Sequence, residues 1–348
     1  MSGYMAACWK KLALDPEVDL RVIAWGTSSS STQSAFQSSI MDGINCRLVT
    51  GGENDDVDLV TSEVNAFRPD VLVIPGWMSK AYTSCVLQLG ANRPTVIMGM
   101  DTPWTGAPRQ HVTRWRHYNL LKNVDHVVVA GERSWQYATR LGFAEHQITR
   151  GVYGWDESLA IQPSNDKNHQ GNFVFVGRIA REKGIKTLIE AYNNYRNQSA
   201  TPWTLTVCGT GPLSDLVKGE GITPVGFIQP GDLPDVFSRA DVMVLPSYYE
   251  PWGVALAEAM GSGLPSIATE ACGAAIDLVR SYWNGIMVPT GSVTALADAL
   301  EWFDNNNERL PTMAKNARGA AEPFSATNWA IRWKALLNQL TIRKRVAA

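Results

Sequence analysis

Two glutamates eight residues apart, Glu250 and Glu258, stand in the stretch SYYEPWGVALAEAMGSGLP, residues 247–265. A strand-like run, Asp241–Leu245, ends at Pro246, and an apolar helical pattern starts near Gly253. The amides of Trp252, Gly253 and Val254 therefore fall at a helix start. Amides without an acceptor inside the helix, at the positive end of its dipole, form an anion site suited to a phosphate. A carboxylate beside that site is repelled by the anion and is left to accept from neutral hydroxyls. Glu250 can do so just before the helix and Glu258 inside it, one on each flank of the phosphate. A carboxylate taking vicinal hydroxyls is a common holder of a ribose. A capped helix with surface acids gives the same spacing, because acids gather at helix starts on electrostatic grounds alone.

Two further loops carry matching chemistry. VGRIAREKG (176–184) runs from a strand into a helix and sets Arg178 and Lys183 at the carboxyl end of that strand. Arginine offers a planar fork to phosphate oxygens and lysine a mobile point charge, so together they can neutralise a diphosphate without a metal ion. Read in isolation, the same pair is a solvated loop. CGTGP (208–212) holds Gly209 and Gly211, whose lack of a side chain permits close backbone approach to a ligand. Neither a GxGxxG dinucleotide fingerprint nor a GxxxxGK[ST] phosphate loop occurs.

The elements that must position these residues follow from periodicity. Apolar, β-branched runs at 20–26, 46–50, 70–76, 95–100 and 126–131 read as strands, with helical stretches between them such as Ser62–Phe67 and Ser134–Leu141. That alternation is the pattern of a parallel sheet covered by helices. Residues 154–171 lose periodicity and gain turn residues, marking a linker. The pattern then restarts with the strand FVFVG and a helix bearing Ile185, Leu188, Ile189 and Tyr192 at i, i+3, i+4 and i+7. The fold class expected is α/β, with two Rossmann-like domains facing across a cleft. Residues 1–153 form the first, 172–322 the second, and 323–348 a closing helix with Trp329 and Trp333 as core contacts. SSSST (28–32) reads as a loop. The chain opens on SGYMAACWKKLAL, a helical rather than a strand-like pattern, so either the usual first strand is missing from this chain or the half-domain is built differently.

Composition narrows the partners. A net charge of -2 lacks the basic excess of a nucleic-acid binder. Five cysteines, odd in number and without a CxxC pair, suit a reducing compartment. The five histidines show no metal-ligand spacing, so neither metal nor cofactor is expected. No apolar run approaches the roughly 18 residues of a membrane span. The start does not follow the order of a signal peptide. These features point to the cytoplasm, with peripheral contact at the inner face of a membrane left open.

In order and spacing, FVFVGRIAREKG, VCGTGPL, the run VGFIQPGDLPDVFSRADVMVLPSYYEPWGVALAEAMGSGLP and NGIMVPTGSVTALADAL resemble the retaining glycosyltransferases of family 4, which have the GT-B fold. The resemblance spans about residues 170–300. It implies transfer of a sugar from a nucleotide-diphosphate sugar, UDP- or GDP-linked, to an acceptor hydroxyl in glycan, polysaccharide or glycolipid synthesis, without a metal. It implies that Arg178 and Lys183 bind the diphosphate, that Glu250 meets the donor sugar and Glu258 the ribose. Gly209 and Gly211 would line the donor pocket, and the backbone around Phe227 would meet the base. The acceptor, whether a sugar, a lipid-linked group or a small molecule, is not specified.

The first half departs from that family. Where a histidine often faces the reacting sugar, TVIMGMDTPWTG offers Asp101, either an acceptor-orienting base or a turn residue before Pro103. Only Gly3 is available for the usual first glycine-rich loop, and Asp277 is displaced from a familiar glutamate position. RQHVTRWRHYNLLK (109–122) reads as one helix with Arg109, Arg114, Arg116 and Lys122 beside Trp115 and Tyr118. It fits an anionic acceptor, a membrane surface, or a solvated basic face over core aromatics. The basic tail IRKRVAA reads the same way. A donor-binding protein without turnover, or a nucleotide-sugar epimerase or phosphorylase of similar build, are the rival functions.

Overall fold

A computed structural model describes residues 3–25, 41–49, 55–90, 93–160 and 171–347; the SSSST loop, the middle of the expected linker and the side chains of the basic tail lie outside the described residues. The chain divides into two compact units, one of residues 1–154 with 326–348 and one of residues 155–325.

The first unit holds helix α1 (Gly3–Ala13), strands β1 (Val22–Trp25) and β2 (Cys46–Val49), helix α2 (Val57–Phe67), β3 (Val71–Ile74), α3 (Lys80–Gln88) and β4 (Thr95–Met100). Three single-turn helices follow, α4 (Pro108–His111), α5 (Thr113–Arg116) and α6 (Tyr118–Leu121), then β5 (His126–Val129), α7 (Glu132–Leu141) and β6 (Ile148–Arg150). Strands β3 to β6 pair in parallel in that order, while β1 and β2 pair with each other as a separate two-stranded sheet among the described residues. Strand β1 falls in the run expected at 20–26 and lies outside the four-stranded sheet.

Side chains alternate across the four-stranded sheet, as the two-residue period of a strand requires. Val96, Met98, Val127 and Val129 join the core that contains Tyr137 and Leu141 of α7. Ile97 and Val128 point the other way, onto Cys8 and Leu12 of α1 and Trp329, Trp333, Leu336 and Leu340 of the last helix, α14 below. Both faces are thus dry, which is why these strands read as continuous apolar runs.

The second unit contains β7 (Asn172–Val176), helix α8 (Ile185–Gln198), β8 (Thr204–Cys208), β9 (Ile222–Gly226), α9 (Leu233–Ser238), β10 (Val242–Leu245) and α10 (Val254–Gly261). It continues with β11 (Ser266–Thr269), α11 (Gly273–Leu278), β12 (Gly285–Val288), α12 (Val293–Asn305) and α13 (Leu310–Ala321). Helix α14 (Ala326–Ala347) then completes the first unit. The six strands are parallel in the order β12-β11-β10-β7-β8-β9. From β7 the chain builds outward to β9, then returns to place β10 on the other side of β7, with Val242 beside Phe173. The β7/β10 boundary is therefore the topological switch point, where loops at the carboxyl ends of two neighbouring strands diverge and open a crevice.

The expected helix over 109–122 is corrected to three turns broken at Val112 and His117. Its aromatics are not core: Trp115 is 84% and Tyr118 59% exposed. Among the described residues no helix is long and apolar enough to cross a membrane.

Candidate functional site

The loops carrying the candidate residues leave the two strands that flank the switch point. After β7 come Arg178 and a 3-10 turn, Arg181–Lys183, then Gly184 at φ 71° and helix α8. After β10 come Ser247–Gly253 and helix α10. The loops are stitched together by backbone: the Glu182 carbonyl accepts from the amides of Tyr248 (2.8 Å) and Tyr249 (3.2 Å). The Tyr248 hydroxyl lies 2.6 Å from the Thr187 hydroxyl in the first turns of α8. Gly184 is required here, because a Cβ at that position would run into the carbonyl oxygen of Pro246.

This stitching brings Lys183 and Glu250 into a direct ion pair. Their side chains are only 21% and 12% exposed, so the pair sits in a reduced dielectric and is stronger than a surface pair of the same geometry. Arg178 stands apart from it and pairs with Glu182 one helical turn on, half exposed; its guanidinium holds the Glu182 carboxyl below its ordinary range. The two cations are thus held on neighbouring acids by a loop that needs both signs of charge. Glu182 is the residue that sequence reasoning passed over. The signal was present as an acid between two cations in AREKG.

The Glu250 turn rests on the β11–α11 connection. The Glu250 carbonyl accepts from the Gly273 amide at 3.0 Å, and the Trp252 carbonyl from the Ala274 amide at 2.7 Å and from the Cys272 thiol at 3.1 Å. Cys272 is fully buried, and burial, aided by the Glu250 charge, pushes its thiol up to about 12. It is a packing group and an S–H donor, not a nucleophile. Gly253 stands at φ 103° before α10, a conformation that favours glycine, and no side chain caps that helix. The first-turn amides that begin at Val254 consequently keep their donors without an intrahelical acceptor. Trp252 itself is buried against Phe324, with ring centroids 5.4 Å apart, so its side chain anchors the turn.

Glu258 lies one turn into α10, half-buried. Burial, with Asp156 adding like charge, pushes its carboxyl up to about 7. No contact joins it to Lys183 or Glu250 among the described residues. Gly209 and Gly211 follow β8, and packing alone already requires glycine at both. A Cβ on Gly209 would strike the Gly177 carbonyl, and one on Gly211 the Ile179 carbonyl, so these glycines admit the neighbouring β7 loop. The Gly209 amide also donates to the Gly226 carbonyl at 2.6 Å, which sets Phe227 next to this glycine turn. Asp101 belongs to the first unit, after β4, where it accepts from the Tyr153 hydroxyl at 2.9 Å. Tyr153 packs edge-on against Tyr4, and its hydroxyl is pushed well up by burial and then by the Asp101 charge.

Residues 157–320, nearly the whole second unit, match the family model of the glycosyl transferases group 1. An uncharacterized glycosyltransferase of Methanocaldococcus jannaschii is 25% identical over 180 residues, 49% of this chain and 42% of that protein. A D-inositol 3-phosphate glycosyltransferase of Corynebacterium kroppenstedtii is 32% identical over 172 residues, 45% of this chain and 38% of its own. The alpha-D-kanosaminyltransferase of Streptomyces kanamyceticus is 32% identical over 152 residues, 41% and 39%. The chain thus matches about two-fifths of the length of these curated relatives.

The fold extends further than the sequence likeness. HepE of Anabaena, solved in complex with UDP and glucose, has a TM-score of 0.73 at 16% identity, over 97% of this chain and 96% of that one. Sucrose-phosphate synthase of Thermosynechococcus elongatus reaches 0.75 at 21% identity, over 98% and 93%. The fold class is GT-B, with two α/β units built on parallel sheets.

Proposed function

We propose that this protein is a retaining, metal-independent glycosyltransferase that takes a nucleotide-diphosphate sugar, UDP- or GDP-linked, as donor. The observation that carries the reading is the pairing of the β7 and β10 loops at the switch point, which sets Lys183 against Glu250 beside the uncapped start of α10. Relatives named as glycosyltransferases, and a neighbour in fold solved with UDP and glucose, support the same chemistry.

In this reading Arg178, Lys183 and the amides of Gly253 and Val254 receive the donor diphosphate. To do so, the two cations turn from Glu182 and Glu250 toward the phosphates, and Glu250 is released to accept from hydroxyls of the donor sugar. Glu258 takes the ribose hydroxyls, and backbone near Gly209, Gly211 and Phe227 lines the base. The acceptor oxygen bonds to the anomeric carbon on the face from which the diphosphate leaves. The bond from that carbon to the phosphate oxygen breaks, and the acceptor proton passes to the departing phosphate. Once turned, the cations, together with the helix amides, lower this barrier by stabilising charge on the leaving group, which supplies the role a metal would otherwise fill. Asp101, held by Tyr153, orients the acceptor. The reaction belongs to cytoplasmic glycan, polysaccharide or glycolipid assembly.

A thermal-shift panel of UDP- and GDP-sugars should single out one donor, since a ligand at about a hundred times its Kd stabilises the native state by about 2.7 kcal/mol. With that donor and a panel of acceptor sugars and glycolipids, transfer should persist in chelator. Glu250→Gln should retain folding and donor binding while losing about a hundred-fold or more in kcat. An active Glu250→Gln, or strict dependence on a divalent ion, would overturn the assignment.

A further inference from the structure

Residues 102–124 carry Arg109, Arg114, Arg116 and Lys122 and no aspartate or glutamate. They fold as α4, α5 and α6, anchored inward by Gln110, Thr113, Leu120 and Leu121. The outward side chains are unusual. Val112 is 56% exposed, Trp115 84% and Tyr118 59%. Val112 and Trp115 stand three residues apart. Met78, 87% exposed, extends the surface, because its neighbour Trp77 stacks on His117 at 5.3 Å. Clustered apolar exposure of this kind marks an interaction surface.

The formal charges within residues 102–124 have one sign. Arg109, Arg116 and Lys122 are exposed, with the Lys122 ammonium 5.6 Å from the Tyr118 ring centre. Arg114 is differently placed, its guanidinium lying against the α7 terminus at Gly142. The acids nearest in sequence are engaged: Asp101 with Tyr153, Asp125 with Arg93 at 2.5 Å and Glu132 with Arg150. His117 is pushed down by burial and then by Arg116.

We propose that this face docks on an anionic lipid bilayer, with Trp115, Tyr118, Val112 and Met78 entering the headgroup boundary and Arg109, Arg116 and Lys122 meeting lipid phosphates. Tryptophan and tyrosine are the residues enriched at that boundary, and nearby cations add attraction to anionic headgroups. Nucleic acid fits less well, since exposed valine and methionine contribute nothing to a phosphate backbone and the net charge is -2.

The test is sedimentation of the full chain with vesicles of phosphatidylcholine, with and without phosphatidylglycerol. Binding should appear only with the anionic lipid and fall in about 1 M salt, where the screening length shrinks to about 3 Å. Each charge removed in Arg109→Gln, Arg116→Gln and Lys122→Gln should weaken partition about fivefold. Brominated lipid should quench tryptophan emission in the wild type, and Trp115→Phe should remove that component. Trp115→Ala should weaken vesicle binding while leaving melting unchanged. No sedimentation with anionic vesicles, equal binding by Trp115→Ala, or self-association through this face in place of lipid binding would overturn the proposal. Vesicle binding needs neither donor nor acceptor, so it stands or falls apart from the glycosyltransferase reading.

Discussion

At the scale of single residues, the two glutamates noticed first turn out to differ in kind. Glu250 is shielded and ionically paired with Lys183, whereas Glu258 is half-buried with its carboxyl raised to about 7 by burial and Asp156. A carboxyl whose folded value exceeds its unfolded one adds stability that is full at low pH, below the unfolded value. That stability is lost as pH rises through about 7. The melting temperature should therefore decline from pH 5 to pH 7.5 more steeply in the wild type than in Glu258→Gln, which a pH series of calorimetry will read. Donor affinity should move the opposite way, because the ionised form accepts from ribose hydroxyls. It should rise through pH 7 in the wild type, and a flat profile there would remove Glu258 from the donor site. The spacing of the two acids and the types in AREKG were legible in the chain. That Lys183 would turn to Glu250 was not, because the two residues are 67 apart in sequence and their strands become neighbours only through sheet order.

At the scale of elements, the glycines of the βα turns decide whether the loops can approach one another. They were legible as glycines that permit a close approach; the structure shows backbone of the next loop making such an approach. Gly184 shows this most sharply, combining φ 71° with the Pro246 carbonyl where a side chain would stand. Gly184→Ala should cost about 1–3 kcal/mol, as overpacking does. It should also weaken donor binding, because the displaced turn carries Lys183. Chemical denaturation alongside a donor titration checks both, and an alanine variant with unaltered stability would refute the close approach. Strand periodicity was readable for the same reason that the sheets are dry on both faces. The 109–122 segment misled because its helical periodicity is real but interrupted, and its aromatics face outward where a core was expected.

At the scale of the molecule, the last helix belongs with the first residues. Trp329 and Trp333 lie with ring centroids 5.1 Å apart, tilted by 32°, and donate their indole N–H groups to the carbonyls of Val152 and Gly151, both at 3.1 Å. Trp329 is 2% exposed, so Trp329→Ala should cost about 3–5 kcal/mol. The loss should fall on the first unit, lowering one calorimetric transition while the donor-induced shift of the second unit persists. A uniform fall of both transitions would mean that the units do not melt separately. The helical periodicity of this segment and its two tryptophans were visible in sequence, but the carbonyls they seek lie more than 170 residues earlier.

Helix α14 also sets an order of events during synthesis. The second unit is one continuous stretch, 155–325, and has every strand it needs once that stretch has left the ribosome. The first unit is translated earlier, yet one face of its sheet lacks Trp329, Trp333, Leu336 and Leu340 until residues 326–340 emerge. The half made first is thus the half that closes last, and until then it is the part for a chaperone to guard.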